Sequence, residues 1–532
     1  MSVRAWQETL LGAYPNLGGL YDAPHPALVP TTGLVQADNI IFSDRLTWKK
    51  RGGLVQQNSA SMAAEATVRM LVDYWRAGSS GAPSQKLVAV CGTHFYKDDL
   101  DNTWDDISGS VSCPRDSIVT SAVVGDSLVM AFSATVPMVW NQTGNVAALG
   151  GTPPNGNIVA QHLNRCWMNE KTDPHRIYYT GVNSDGSASP SRWSSANGGG
   201  SFAVEDDDGD PVGITAMFQL NDNLYVAKLT KLYRIEGRTT SSFSVVPVIN
   251  GIGCVSHNMA VSIGNDAIFP SLRGFHSLAL VAQTGQIAQE TFVSNNIHRA
   301  YINDINHAKI KYGHGKFHPL INSIVWCIPQ SGDTTNNTAY VFSLTTKQWT
   351  RFTNFRGNAL MTKLDAANRV IELWTGGTGG QVYKYKQFTR NDYGSEPISM
   401  IAKSGHIHPD KRFAHLFAFK EMNLLTTPSG NHEVDFRFRT DTMKNSSGNL
   451  VTTSATYNQG AVAGYAPLGS GSFMLSDTLL GSDSFIPPLT IPMQGEGRAI
   501  QWTVKNDKLN QDLEIAGWYL EVEETGIRRN RY

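Results

Sequence analysis

Asn221-Asp-Asn-Leu-Tyr-Val226 followed by Lys231-Leu-Tyr-Arg-Ile235, and Gly264-Asn-Asp-Ala-Ile-Phe269 followed by Gly274-Phe-His-Ser-Leu278, decide the fold. Each reads as a polar turn, an apolar strand of period two, a second short turn and a strand carrying an aromatic. Looser copies extend the series both ways. Upstream stand Lys86-Leu-Val-Ala-Val90 with Thr93-His-Phe-Tyr96, Gly125-Asp-Ser-Leu-Val-Met130 with Val136-Pro-Met-Val-Trp140, and Asn164-Arg-Cys-Trp-Met168 with Arg176-Ile-Tyr-Tyr179. Downstream stand Asn322-Ser-Ile-Val-Trp326 with Ala339-Tyr-Val-Phe342, and Asn368-Arg-Val-Ile-Glu-Leu-Trp374 with Gln381-Val-Tyr-Lys-Tyr385.

The equivalent positions Leu87, Leu128, Cys166, Leu224, Ile268, Val325 and Ile371 are separated by 41, 38, 58, 44, 57 and 46 residues. Propeller blades recur every ~40 to 50 residues, so the two long steps require insertions, placed at 183–211 and 283–307. An earlier unit, Asn39 to Trp48, fits the series if Ile40 is its equivalent, which gives seven or eight blades. A strand from this early unit is expected to close the ring by pairing with the last blade, leaving only short edges. The expected fold class is therefore all-β: an N-terminal arm over 1–32, a β-propeller over 33–395, and a β-sandwich-like domain over 396–532. The last rests on four alternating stretches, Arg412 to Phe419, Glu433 to Arg439, Ala499 to Val504 and Leu513 to Val522. Between the second and third lies a long insertion, 441–497, rich in small and polar residues and read as a contact arm.

Composition agrees. The 532 residues include 49 glycines and only 17% charged side chains, which suits short strands and many turns. With 44 basic against 45 acidic side chains, the chain as a whole has no pull toward nucleic acid, anionic membrane or acidic substrate. The five cysteines are scattered and form no CxxC pair, so buried free thiols are expected. The N-terminus lacks a secretory pattern and no stretch approaches the ~20 apolar residues of a spanning helix. Folding in a reducing cytoplasm without membrane insertion follows, and the sequons at Asn141, Asn336 and Asn445 are chance matches.

Four features invite a chemical reading, each with a plainer one beside it. Asp206, Asp208 and Asp210 alternate as in a calcium loop, but Pro211 stands where such a loop needs Gly and Met217 where it needs Glu; a solvated loop is expected. His314 with His318, and His406 with His408, are spaced to share a metal, yet neither pair has an evident third ligand or a helix to present it. Ser184 to Trp193 is a faint, wrongly spaced likeness of the Asp-box turns found in sialic-acid hydrolases. Arg528 to Tyr532 is a short basic tail, expected to be solvated. No nucleophile elbow or phosphate loop occurs. No catalytic, cofactor-binding or metal-ligating residue is assigned, and the chain is not expected to be an enzyme or to carry a cofactor.

The order of short motifs along the chain carries a resemblance. Gly18-Gly19, Leu34-Val-Gln-Ala-Asp-Asn39, Phe42-Ser-Asp44 and Lys49-Lys-Arg-Gly-Gly-Leu54 are similar to the opening of tail nozzle and hub proteins of short-tailed bacteriophages, of the packaged-DNA stabilisation type. Ile214 to Phe218, Gly253 to Asp266 and Arg273 to Leu278 continue it. The resemblance implies a virion structural protein that leaves the host cytoplasm as part of the tail. Six copies would form a ring beneath the portal and adaptor, meet tail fibres or spikes, and retain and conduct double-stranded DNA during genome ejection. It supplies no catalytic residue. The segments 183–211 and 441–497 depart from the family pattern. The competing expectation is a carbohydrate-binding or carbohydrate-cleaving propeller used in host attachment. A propeller scaffold outside any virus ranks third.

Overall fold

All seven equivalent positions, from Leu87 to Ile371, fall in the second strand of a separate sheet in the computed structural model. The structure describes residues 8–13, 17–22, 25–62, 66–77, 83–132, 135–205, 209–280, 292–410, 415–427, 432–443, 452–459 and 488–527. The chain divides into two compact units: Val55–Tyr340 with Asn354–Tyr385, and Met1–Leu54 with Val341–Thr353 and Lys386–Tyr532. The second unit takes in residues 33–54, 341–353 and 386–395, all of them expected in the propeller.

Among the described residues the first unit is a β-propeller of seven blades. Four blades are four-stranded antiparallel sheets, spanning Val68–Asp106, Val119–Ala148, Val159–Ala203 and Ala216–Asn250. A fifth has strands Val261–Ile263, Asp266–Pro270 and Phe275–Ser277, with a bridge from His276 to Phe292. The sixth begins with His314–His318 and Ser323–Ile328, and the seventh with Ala359–Asp365 and Val370–Gly376. Their first strands adjoin one another in sequence, and Ala359–Asp365 lies against Val68–Arg76, which closes the ring. The last blade is latched by residues just after the early motif. The Gln57 amide donates to Val382 O at 2.9 Å, and buried Asn58 accepts from the Val382 amide and donates to Gly380 O.

Local chemistry explains the hairpins. The two-residue turns Leu163-Asn164 and Asn221-Asp222 have both residues at positive φ, the mirror-image turn whose twist matches paired strands and which Asn and Asp tolerate. The core lies between blades. Tyr74, Val88 and Phe95 pack with Leu128, Met130 and Trp140; Trp167 and Tyr179 pack with Val226 and Tyr233; Val68 and Cys91 pack with Met361 and Trp374 across the ring closure. Each fully buried side chain of this size stabilises by about 1.5–3 kcal/mol. The repeated aromatics are thus core anchors.

Among the described residues the second unit has two large sheets, beside a short ladder of Asn391–Asp392 with Glu396–Pro397. One contains Ile40–Phe42, Trp48–Lys50, Glu514–Ile527, His415–Thr426 and Leu489–Gly497, with Glu8–Ala13 also paired to Glu514–Ile527. The other runs Trp349–Phe352, Leu34–Asp38, Met400–Ser404, Ile500–Asn506, His432–Thr440, Thr453–Gln459. Trp502 of the second sheet meets Trp518 and Trp48 of the first, with ring centroids 5.1 and 6.4 Å apart. Three expectations change. The Asn39–Trp48 unit is not an eighth blade, because Ile40–Phe42 pairs with Trp48–Lys50 in this unit's sheet. The sheets expected from 396–532 alone also draw strands from the beginning of the chain. Finally, two stretches of the expected arm 441–497, Thr453–Gln459 and Leu489–Gly497, are sheet strands; 444–451 and 460–487 lie outside the described residues, as do 283–291 of the segment 283–307 and 206–208 of 183–211. No helix among the described residues is long and apolar enough to cross a membrane.

Candidate functional site

Blade geometry brings distant residues together at the two ends of the innermost strands. At their starting end lies a cavity of about 250 Å³ lined by Arg69, Asp116, Tyr312, His314, Asn336 and Asn358. Most of its polar groups already hold loops. The Arg69 guanidinium donates to Pro114 O and Ser117 O, Asn336 Nδ2 to Tyr312 O, and the Tyr312 hydroxyl to Asp116 O. Lys309 and Lys311 flank the Tyr312 ring at 5.7 and 5.3 Å. A second cavity at this end, of about 550 Å³, is bordered by Asn169, Lys171, Ser256, His257 and Lys311.

Between the ends stands Lys316. It shares a strand face with His314 and His318, since alternate residues point the same way. Its side chain reaches solvent, and desolvation by the protein around it lowers its pKa. Burial, reinforced by Lys316, pushes His257 down to about 4 and His314 to about 3, so both are neutral at pH 7. His257 Nδ1 accepts from the Met217 amide. At the far end of the first strands a polar cavity of about 600 Å³ is lined by Gln161, His162, Gln219, Asp222, Arg238 and Ser262. Gln219 donates to Gln161 O, and Ser262 Oγ to Gln219 O at 2.7 Å.

The features singled out in the sequence are not assembled into one site. His314 lies near His257, whereas His318 packs edge-on against Tyr385 with centroids 4.7 Å apart. His406 meets the His25 ring edge-on at 5.8 Å. Asp210 Oδ1 accepts from the Val212 and Gly213 amides, a turn-forming role, while Asp206 and Asp208 lie outside the described residues. Asp185 caps its own turn through Ser187, and Trp193 is core. All five cysteines are buried, and no disulfide joins them. Among the described residues no three His, Cys, Asp or Glu side chains converge as a metal needs. The tail 528–532 is outside the described residues.

The N-terminal motif is brought together, but inside the second unit. Asn39, at φ 55°, accepts from Arg51 Nε and the Thr353 amide and donates to Thr353 Oγ1 and Ser399 O. Arg51 grips Asp392 with two hydrogen bonds, of 2.9 and 2.5 Å. Lys50 Nζ reaches Asn506 Oδ1 at 2.7 Å, and Asp38 binds Arg351. Gly52 and Gly53 are required for close approach: a Cβ there would stand 2.3 Å from Lys386 O and 1.9 Å from Asn391 O. The residues that carry the resemblance therefore form a buried framework. Composition gave no signal for Lys316 or His257, whose setting depends on ring closure.

The sheets define the class: a seven-bladed β-propeller with an appended two-sheet unit. No family model and no curated protein matches the chain. Among solved structures it is similar to YCF48 from Cyanidioschyzon merolae, at 11% identity and a TM-score of 0.36 over 61% of this chain and 98% of that one. BamB from Moraxella catarrhalis aligns at 12% identity and 0.32, covering 72% and 98%; Kluyveromyces lactis Hsv2 aligns at 11% and 0.27, covering 51% and 82%. At such scores these likenesses carry no weight for function.

Proposed function

We propose that the chain is a structural subunit of a short-tailed bacteriophage tail, of the nozzle or hub kind, which forms a six-copy ring that retains and conducts the genome. The supporting observation is the framework around Asn39 and Arg51. The motif that carries the resemblance is built into the interior, as expected of residues kept for architecture rather than chemistry. A closed propeller supplies a rigid body, and its loops supply contacts for a heterologous ring. The near-equal numbers of basic and acidic side chains suit a conduit, since a strongly basic lumen would hold phosphate and stall the duplex. Quantitative mass spectrometry of purified virions tests this. The chain should be present at half the copy number of a twelve-subunit portal; its absence from virions overturns the proposal.

The polar cavity bordered by Gln161, Gln219, Asp222 and Arg238 favours a second reading, a saccharide-binding propeller used in host attachment. Glycan-array binding lost on Asp222→Ala would support it, and a blank array would remove it.

A further inference from the structure

The two-sheet unit turns Trp48, Trp502 and Trp518 toward one another, so alternate strand positions face away from that contact. On the sheet containing Met400–Ser404, Ile500–Asn506 and His432–Thr440, those positions carry Lys403, Lys505, Arg437 and Arg439. Thr503 lies opposite both Lys403 and Arg437, and Arg439 lies opposite Gln501 and donates to its Oε1 at 3.0 Å. Asp435 offsets Arg437 and Asp507 offsets Lys505, but Lys403 meets no carboxylate among the described residues. These four cations line a cavity of about 360 Å³. Burial and the neighbouring Arg439 lower the pKa of Lys403, as expected for a cation held near another without a counter-ion.

The other sheet is the opposite. Glu421 and Glu521 stand directly across from one another on neighbouring strands, and Glu523 and Glu496 flank Ala418 in the next row. Lys420 pairs with Glu523 at 2.9 Å, while Glu521 meets no cation among the described residues. Like charges directly opposite repel. Each surface therefore holds unrelieved charge of one sign, although the whole chain carries a net charge of only −1.

We infer that these surfaces bind one another between copies of this chain, the Glu421–Glu521 surface of one copy entering the Lys403–Arg439 groove of the next. The inference rests on the ring reading above and names its interface. Because the two patches differ, the contact is head-to-tail, the kind that closes into a ring when the rotation between copies allows. Charge complementarity steers the encounter and fixes its register. It relieves repulsion on both sides at once, which nucleic acid on the basic groove alone would not do.

The test uses the full chain and two variants, Glu421→Lys/Glu521→Lys and Lys403→Glu/Arg439→Glu, in sedimentation velocity and electron microscopy at about 50 and about 500 mM salt. Circular dichroism and hydrogen exchange establish that each variant is folded. Wild type should assemble at low salt and dissociate as salt rises, and each variant should self-associate at least about tenfold more weakly. One variant then presents acid on both surfaces and the other base on both, so an equal mixture should assemble again. A ring indifferent to both reversals, or a mixture that stays apart, overturns this interface and leaves the ring reading standing. A wild-type chain that remains monomeric, alone and with portal, overturns both. Binding of a DNA duplex to the basic groove, lost in Lys403→Glu/Arg439→Glu without any assembly, assigns that surface to nucleic acid and overturns the inference.

Discussion

Replacing Arg51 by Ala should be among the most damaging single changes in the two-sheet unit. The Arg51 and Asp392 side chains are 0% and 1% exposed, and the guanidinium donates to Asp392, Asn39 Oδ1, Gly52 O and Thr353 O. All five N–H groups are occupied. Without Arg51, the Asp392 carboxylate stays buried with the Leu54 amide, 2.9 Å away, as its remaining described donor. Removing one partner of a buried pair costs about 3–5 kcal/mol, mostly from the charge left behind. Removing both should cost no more than either single change: Arg51→Met/Asp392→Leu leaves no buried charge, so the double-mutant cycle should show a favourable coupling of at least about 3 kcal/mol. Urea denaturation gives the free energies, and hydrogen exchange at the Leu54 amide shows whether this unit opens first. Single variants within about 1 kcal/mol of wild type, or a double variant that loses the sum of the two, would refute the reasoning.

Two pH effects follow from burial. Burial lowers Lys50 to about 8 from 10.5, so between those values the unfolded chain holds the proton that the folded chain has released. Stability should therefore rise by up to about 3 kcal/mol from pH 8 to 10.5, and a Lys50→Met chain lacking this part of the slope in parallel urea titrations is the check. Burial holds His318 at about 3, so the unfolded chain binds the extra proton below 6.5 and stability falls as pH drops from there toward 3. Both its ring nitrogens lack hydrogen-bond partners among the described residues. His318→Phe keeps a ring against Tyr385 and should stabilise by about 1–3 kcal/mol while flattening the acid arm of the melting curve; an unchanged acid arm would count against it.

The blades were legible where chemistry is local. Second and third strands combine an apolar alternation with an aromatic and a turn, and all seven second strands were placed. First strands were missed because positions such as Gln161, Gln219 and Ser262 break their apolar pattern. Fourth strands are edges: Ser244–Asn250 carries Pro247, and Trp104–Asp106 is three residues long. The false eighth blade has a physical cause as well. Asn39 adopts the same left-handed conformation as Asn164 and Asn221, so its sequence resembles a blade turn, but its side chain serves Arg51, Thr353 and Ser399.

The acidic surface was not legible, for a reason of register. Phe417 and Phe419 point inward, so strict alternation would send Glu421 inward too. The ladder shifts between Phe419 and Glu421 on both neighbouring strands, and Met422 takes the buried position. This one-residue irregularity turns Glu421 outward, opposite a glutamate a hundred residues later in the chain. Burying Glu421 unpaired would cost several kcal/mol, whereas outside it adds to a surface of one sign. A period-two reading therefore finds the strand and assigns its charge to the wrong face. The bulge, which no composition or spacing announces, determines whether this sheet offers a neighbour an acidic surface.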